Sequence, residues 1–384
     1  MSVLSRFFQA GSFSSVNIPA ASGRNDHYLG LDFLRGVAAL AVVLYHSSTR
    51  FNLPFLFPHG YLAVDFFFSL SGFVIARAYQ TRISSGRLAV PEFVLIRAIR
   101  LIPLIVLGTL VAAIGEFARP GITNQHQHLI DAVSAFLLNI ILMPMLYPNS
   151  LTFTVFPLNG PSWSLFLEAV ANGVFAVWAW SRLRLHTLVP LLIVSFLGMI
   201  WGVHLTGKID FGAVRDDFWL GFPRVGWSFF SGIILFHFRN HSPNVLFIIP
   251  TCVLIFVLLT PDLGHINSTF DTVCVLFVLP WIVWAASLAR FRSTGRRWSA
   301  WSGDLSYPIY TLHYPLLRYL GGGGTVLQLP LFGRLGVVFC ATLMILVASA
   351  VAYVLFDAPI RKWLTQKLVL PRLLRKHHGL KFLE

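Results

Sequence analysis

The sequence predicts an all-α polytopic integral membrane protein, with about ten transmembrane helices and both termini cytoplasmic, and three observations predict it. Hydrophobic residues make up 56% of the chain and charged residues only 11%, against roughly 25% charged in soluble domains. The apolar residues gather into runs that match the ~20 residues needed to cross a hydrocarbon core as a helix. The arginines and lysines behind the formal net charge of +14 fall mostly between those runs and in the tail. In a soluble protein that charge would suggest nucleic acid as a partner; here it reads as topology signal, and a nucleic-acid partner is excluded.

The elements follow in order. Residues 1–28 are Ser-rich, carry Arg6 and Arg24, and lack an apolar core ahead of a small-residue cleavage site, so they are expected to be an uncleaved cytoplasmic segment. A membrane domain is expected over 29–360 and a basic cytoplasmic tail over 361–384. Runs long enough to cross lie at about 30–50, 61–80, 98–116, 162–180, 187–205, 217–237, 244–260, 271–290, 303–320 and 333–356. Basic residues cluster at Arg77 to Arg100, at Arg182 with Arg184, at Arg239, at Arg290 to Arg297 and from Arg361 to Lys381, and the positive-inside rule puts all five inside. The connections NLPFLFPHG, TPDLGHINSTFD and GGGGTVLQLP are poor in Lys and Arg and suit the outside. An eleventh run, IDAVSAFLLNIILMPML at about 130–146, contains Asp131, Asn139 and Pro144. Parity forbids it to cross, so it is expected to be a re-entrant or interfacial helix in an outer loop over about 117–161. Cys252, Cys274 and Cys340 lie in apolar runs without paired spacing and read as packing residues.

Ionisable groups on apolar helices are costly and mark candidate sites. In LDFLRGVAALAVVLYH, Arg35 and His46 are eleven residues apart, which puts them on one helical face and about 16 Å apart along the axis. By residue type alone the plainer reading is a snorkelling arginine and a hydrogen-bonded core histidine. Asp65 opens the second run about one turn below its outer end, ahead of Ser69, Ser71 and Gly72. A buried Asp needs a partner, and His46 is at a compatible depth, either for chemistry or as a structural pair pinning two helices. Arg97 and Arg100 share a face at the inner end of the third run, where two guanidiniums can clamp phosphate oxygens or simply mark the inside. Trp163 and Glu168 follow in NGPSWSLFLEAVAN, with Glu168 near the depth of Asp65 and His46. The Pro-interrupted ninth run carries Asp304, Ser306, Tyr307, Tyr310 and His313, and Asp357 closes the tenth.

Together these motifs resemble the membrane acyltransferase-3 family over about residues 28–364. The resemblance rests on Arg35 and His46 with ten residues between them, on Asp65 with Ser71-Gly72-Phe73, on Arg97 and Arg100 before Pro103, on Trp163-Ser164-Leu165 to Glu168, and on Leu305-Ser306-Tyr307-Pro308 to His313. It implies transfer of an acyl group, usually acetyl from cytoplasmic acetyl-CoA, to a hydroxyl of an extracytoplasmic sugar in a polysaccharide or glycolipid. It implies that Arg35, Arg97 and Arg100, with Tyr307, face the donor. His46 would be the catalytic histidine, oriented by Asp65 or Glu168, with Ser69, Ser71, Trp163 and His313 on the substrate side. Whether His46 acts as general base or is itself acylated stays open. Ser71, the Gly72 backbone or a tyrosine of the ninth run would stabilise the oxyanion. Ile96 stands where many relatives have another arginine, and Asp357 where a Glu is usual. The expected setting is the bacterial inner membrane, among lipids and a lipid-linked or polymeric sugar acceptor, with a homo-oligomer left open.

Two rival classes are weighed. A proton-coupled transporter also places His, Asp, Glu and Arg in helices, but no inverted repeat or matching pair of broken helices is present. A glycosyltransferase would want acidic pairs in an early outer loop, and STRFNLPFLFPHG has none. The histidines of HQH at 126–128, and His237 with His241, lack acidic or Cys partners nearby and read as solvated loop residues, with no metal expected.

Overall fold

The computed structural model describes residues 28–117, 125–239, 245–289, 295–320 and 326–374. Residues 1–27 of the expected cytoplasmic segment, the glycine turn at 321–324, His241 and the end of the basic tail lie outside the described residues. The first apolar run forms α1, Leu29–Phe51, which stops where Asn52 adopts a left-handed φ of 52°. A short 3-10 turn, Gly60–Leu62, leads into α2, Ala63–Ser84. At the start of α3, Val90–Phe117, the Glu92 carboxylate accepts the Ala89 N–H at 2.8 Å, as in a capping box. There follow α4, Gln125–Ile140; α5, Ser162–Trp180; and α6, Val189–Thr206, which ends on Gly207 with φ 72°. Then come α7, Gly221–His237; α8, Ile248–Leu259; α9, Gly264–Leu288; α10, Arg296–Tyr319; and α11, Leu331–Leu374. A π turn interrupts α9 at Cys274–Val278, and two interrupt α11, at Tyr353–Asp357 and Thr365–Val369. The described residues contain no strand beyond two isolated bridges.

The chain is an all-α polytopic membrane protein. Among the described residues α1, α2 with its 3-10 turn, α3, α5, α6 with its leading turn, α9 and α11 are long and apolar enough to cross a bilayer, seven in all. The runs marked at about 217–237, 244–260 and 303–320 also form helices, but α7 has 17 residues, α8 has 12, and α10 is too polar along its 24. Apart from α4, successive helices alternate in direction between two ends of the bundle. At one, the basic end, the Arg77 and Arg239 guanidiniums stack on Tyr28 and Arg182 donates to Ser84 O. At the other, the far end, His59 meets Thr260 and Asn267, and Arg318 meets Pro157 O.

The segment over 130–146 enters and leaves at the far end. Glu116, closing α3, pairs with Arg318 of α10 and, at 3.2 Å, with His128 of α4. His128 is therefore a buried partner of Glu116 on a helix, not the solvated loop histidine the sequence suggested, because Glu116 lies across a linker where local spacing does not see it. The Asp131 carboxylate accepts Ser150 N–H and Oγ, each at 2.7 Å, and Gln127 Nε2 at 3.0 Å. Burial disfavours its charge, but these hydrogen bonds outweigh that and hold the carboxyl below its ordinary value.

Two helix pairs build the centre, α1 along α10 and α2 along α7. The second is backbone against backbone. A Cβ on Gly72 would stand 1.9 Å from Phe229 O, and one on Gly232 2.0 Å from Ser69 O, so only glycine permits the approach. Phe66, Phe73, Phe93, Phe175 and Phe229 fill the interior, whereas Trp180, Phe332, Phe339 and Leu355 point outward, as suits helices solvated by lipid. Cys274 is buried, Cys252 and Cys340 are exposed, and all three are free thiols.

Candidate active site

Helix α1 carries both halves of the site. Near its basic end, Arg35 lies 3.5 Å from Asp32, one turn away, and within electrostatic reach of Arg100, Glu168 and Asp304. Arg97 of α3 donates to Glu168 Oε1 of α5 at 2.9 Å, and Ser71 Oγ of α2 donates to the same oxygen at 2.6 Å. Tyr307 of α10 donates to Leu101 O at 2.6 Å, within the field of Arg100, Asp357 and Glu168. The first π turn in α11 brings Tyr353 to Asp304 and leaves Asp357 buried and bound to Arg361 at 2.8 Å. So the expected donor-side residues, Arg35, Arg97, Arg100 and Tyr307, gather with Glu168, Asp304 and Asp357. Arg97 Nε, Arg361 Nε, Asp304 Oδ2 and Asp357 Oδ1 are buried there without hydrogen-bond partners, a store of unused donors and acceptors.

His46 lies three turns further along α1. Its ring faces those of His313 at 5.1 Å, Tyr314 at 5.5 Å and Tyr45 at 5.1 Å between centroids. Two prolines shape the opposing stretch of α10. Pro315 has no N–H to give Thr311 O, four residues back, and Asn159 Nδ2 from the far-end loop supplies that bond at 3.0 Å. Beside it the Tyr310 hydroxyl stands 2.6 Å from Ser164 Oγ.

Asp65 and Trp163 form a separate buried cluster. The Asp65 carboxylate takes Arg224 Nη2 at 2.7 Å and Nε at 3.0 and 3.1 Å, and Arg224 Nη1 donates to Phe211 O at 2.9 Å. The Arg224 guanidinium lies over Trp163, 5.4 Å from its ring centre. Neither Asp65 nor Glu168, the two carboxylates expected to orient His46, has a hydrogen bond to it: the first is held by Arg224 and the second by Arg97 and Ser71. Ser69, expected on the substrate side, is wholly buried in the α2–α7 contact.

The structure adds residues that spacing did not single out. Arg224 is one; a lone charge inside the run at 217–237 was the available signal. Another group continues from His46 toward the far end, where Tyr45 packs edge-on against Tyr61, whose hydroxyl donates to Asp271 at 2.6 Å. His59 closes it, 3.4 Å from Asp271 and bonded to Thr260 O and Asn267 Oδ1. No cluster of three or more His, Cys, Asp or Glu suited to a metal occurs among the described residues.

A family model described as an acyltransferase domain matches residues 28–354. The chain is 35% identical over 178 residues to Protein 2 in the picA locus of Rhizobium radiobacter, an alignment covering 44% of this chain and 91% of that protein. It is 26% identical over 311 residues to the peptidoglycan O-acetyltransferase OatA of Listeria monocytogenes serovar 1/2a (strain ATCC BAA-679 / EGD-e). That alignment covers 75% of this chain and 49% of OatA, so the chain spans about half of that relative's length. No solved structure matches.

Proposed function

The chain belongs to the acyltransferase-3 family, and from that premise we propose that it takes an acetyl group from cytoplasmic acetyl-CoA and places it on a hydroxyl of an extracytoplasmic sugar. The acceptor is a lipid-linked or polymeric glycan of a bacterial surface, reached from the inner membrane; similarity to a peptidoglycan O-acetyltransferase supports a glycan acceptor. The observation that carries the reading is the layout of α1. Arg35 sits among the arginines of the basic end and His46 sits about 16 Å further along the same helix, so donor charge and proton chemistry are separated along one rigid rod.

In this mechanism Arg35, Arg97 and Arg100 hold the phosphates of the donor while its acyl arm extends toward His46. Guanidinium forks suit phosphate oxygens, and the unpaired Arg97 Nε leaves a donor to offer. A sugar hydroxyl is a poor nucleophile until its proton is removed. His46 accepts that proton as the hydroxyl oxygen bonds to the thioester carbonyl carbon, and then returns it to sulfur as the carbon–sulfur bond breaks, which yields ester and free CoA. Such a base contributes about 10²–10⁴-fold to rate. The Tyr310 hydroxyl, close to Ser164 and in the same turn as His313, is the tyrosine of the ninth run that supports the oxyanion. If His46 is acylated instead, the same ring carries the group outward.

The test is transfer of labelled acetyl from acetyl-CoA to an N-acetylglucosamine oligomer by the purified full chain in lipid vesicles. Wild type should yield base-labile acetate on the sugar, and folded His46→Ala should yield none while still binding CoA. A retained transfer rate in His46→Ala would remove the histidine from the chemistry. Transport of solute without any cleavage of acetyl-CoA would make the protein a carrier.

A further inference from the structure

One buried group next to the reacting histidine has no task in that mechanism, the imidazole of His313. It is 0% exposed. Its Nδ1 lies 2.8 Å from Tyr310 O and 3.1 Å from Ile309 O. Carbonyl oxygens only accept, so Nδ1 carries the hydrogen, and in the neutral ring Nε2 is left as a bare lone pair. The tautomer is thus fixed by the helix backbone itself. Nε2 is buried and has no hydrogen-bond partner. The hydroxyl of the adjoining Tyr310 is engaged with Ser164, whereas the adjoining His46 ring, 5.1 Å away with its plane inclined by 31°, brings a nitrogen that can donate.

His46 for its part has lost the partners a catalytic imidazole usually has. Asp65 is saturated by Arg224, and Glu168 is shared between Arg97 and Ser71. An imidazole without an orienting acceptor divides between two tautomers and two ring flips, and only some of these present a lone pair to a substrate. Each of the two histidines therefore lacks what the other offers.

We propose that His313 is the positioning residue of His46: its bare Nε2 accepts the His46 N–H after a small rotation of the rings, so that the other His46 nitrogen is held as a lone pair toward the reacting hydroxyl. The inference rests on His46 being the base or relay. A neutral acceptor suits this depth, because it orients the ring without placing a second anion in the interior. The bond from Asn159 to Thr311 O ties the turn of α10 that carries His313 to the far-end loop, so the acceptor is fixed before substrate arrives.

The experiment uses the full chain in micelles, with acetyl-CoA as donor and an N-acetylglucosamine oligomer as acceptor, and compares wild type, His313→Leu, His313→Gln and His46→Ala. His313→Leu should lower kcat about 100-fold, the lower bound for general-base loss, and leave KM for acetyl-CoA within about twofold. His313→Gln, whose amide oxygen can accept, should recover about tenfold of that loss. Nitrogen-15 spectra of histidine-labelled wild type should show His313 protonated at Nδ1 and His46 as one tautomer, and His313→Leu should show His46 as a mixture. A proton on His313 Nε2, or a folded His313→Leu with wild-type kcat, overturns the proposal. If His313→Leu does not fold, the wild-type spectrum and His313→Gln decide it: a Gln variant no faster than His46→Ala counts against it. Loss of activity in His46→Ala with full activity in His313→Leu removes only the positioning role, whereas activity in His46→Ala removes the base reading as well.

Discussion

Asp65 offers the sharpest separation of structure from chemistry. Its side chain and that of Arg224 are both 0% exposed, and the guanidinium meets the carboxylate through Nη2 at 2.7 Å and Nε at 3.0 Å. Asp65→Asn would remove the anion and leave Arg224 with Phe211 O at 2.9 Å and the half-exposed Asp210 at 3.6 Å. Breaking one side of a buried pair costs about 3–5 kcal/mol, because the remaining charge is left desolvated. Replacing both partners by apolar side chains of similar volume, Asp65→Leu with Arg224→Met, removes the desolvation as well and is expected to be neutral or stabilising by about 1–4 kcal/mol. Wild type, Asp65→Leu, Arg224→Met and the double variant form a double-mutant cycle with a coupling of at least about 3 kcal/mol, read from unfolding titrations in mixed SDS micelles. Acetyl transfer by the double variant gives the second reading. An Asp65→Asn protein as stable as wild type would refute the energetic reasoning, and a stable double variant without turnover would show that the Asp65–Arg224 pair does more than hold the fold.

Further outcomes follow from the same geometry. Arg100→Ala should weaken CoA binding by about tenfold or more, the worth of one charge-assisted hydrogen bond of about 1.5–3 kcal/mol, in isothermal titration; unchanged affinity would leave Arg100 a topology signal. Arg97→Ala should weaken binding similarly and also lower stability, since Glu168 loses its 2.9 Å partner; a variant with full stability would contradict that pairing. Single cysteines at 125 and 186, in a background lacking Cys252, Cys274 and Cys340, should label from outside at 125 and from inside at 186; the reverse pattern would overturn the topology. Glu116→Gln should cost about 1–3 kcal/mol by leaving His128 and Arg318 without their common anion, with CoA affinity unchanged.

The helices were legible in the sequence because a bilayer permits little else: backbone groups in hydrocarbon must bond within their own segment, so each long apolar run becomes a helix. That rule places Arg35 and His46 on one face of α1, since both belong to one element. It says nothing about partners, and there the reading from spacing and the structure part. Depth alone pairs Asp65 with His46, yet its partner Arg224 lies 159 residues away. Depth alone leaves the rotation of each helix open, and rotation decides which charge an Asp meets.

A combined reading of the two helices would have found the pair. On α2, Gly72 follows Asp65 by two turns; on α7, Gly232 follows Arg224 by about two turns, and both helices run from the far end to the basic end. A close backbone contact through the glycines therefore carries the charges along the same seam, which is where the structure puts them. Once Asp65 is taken by Arg224, His46 must find its acceptor elsewhere. His313 is placed to supply it, although the sequence motif containing His313 gives no hint of the pairing: the acceptor is created by two backbone carbonyls that hold the proton on Nδ1, a feature of helix geometry rather than of residue type.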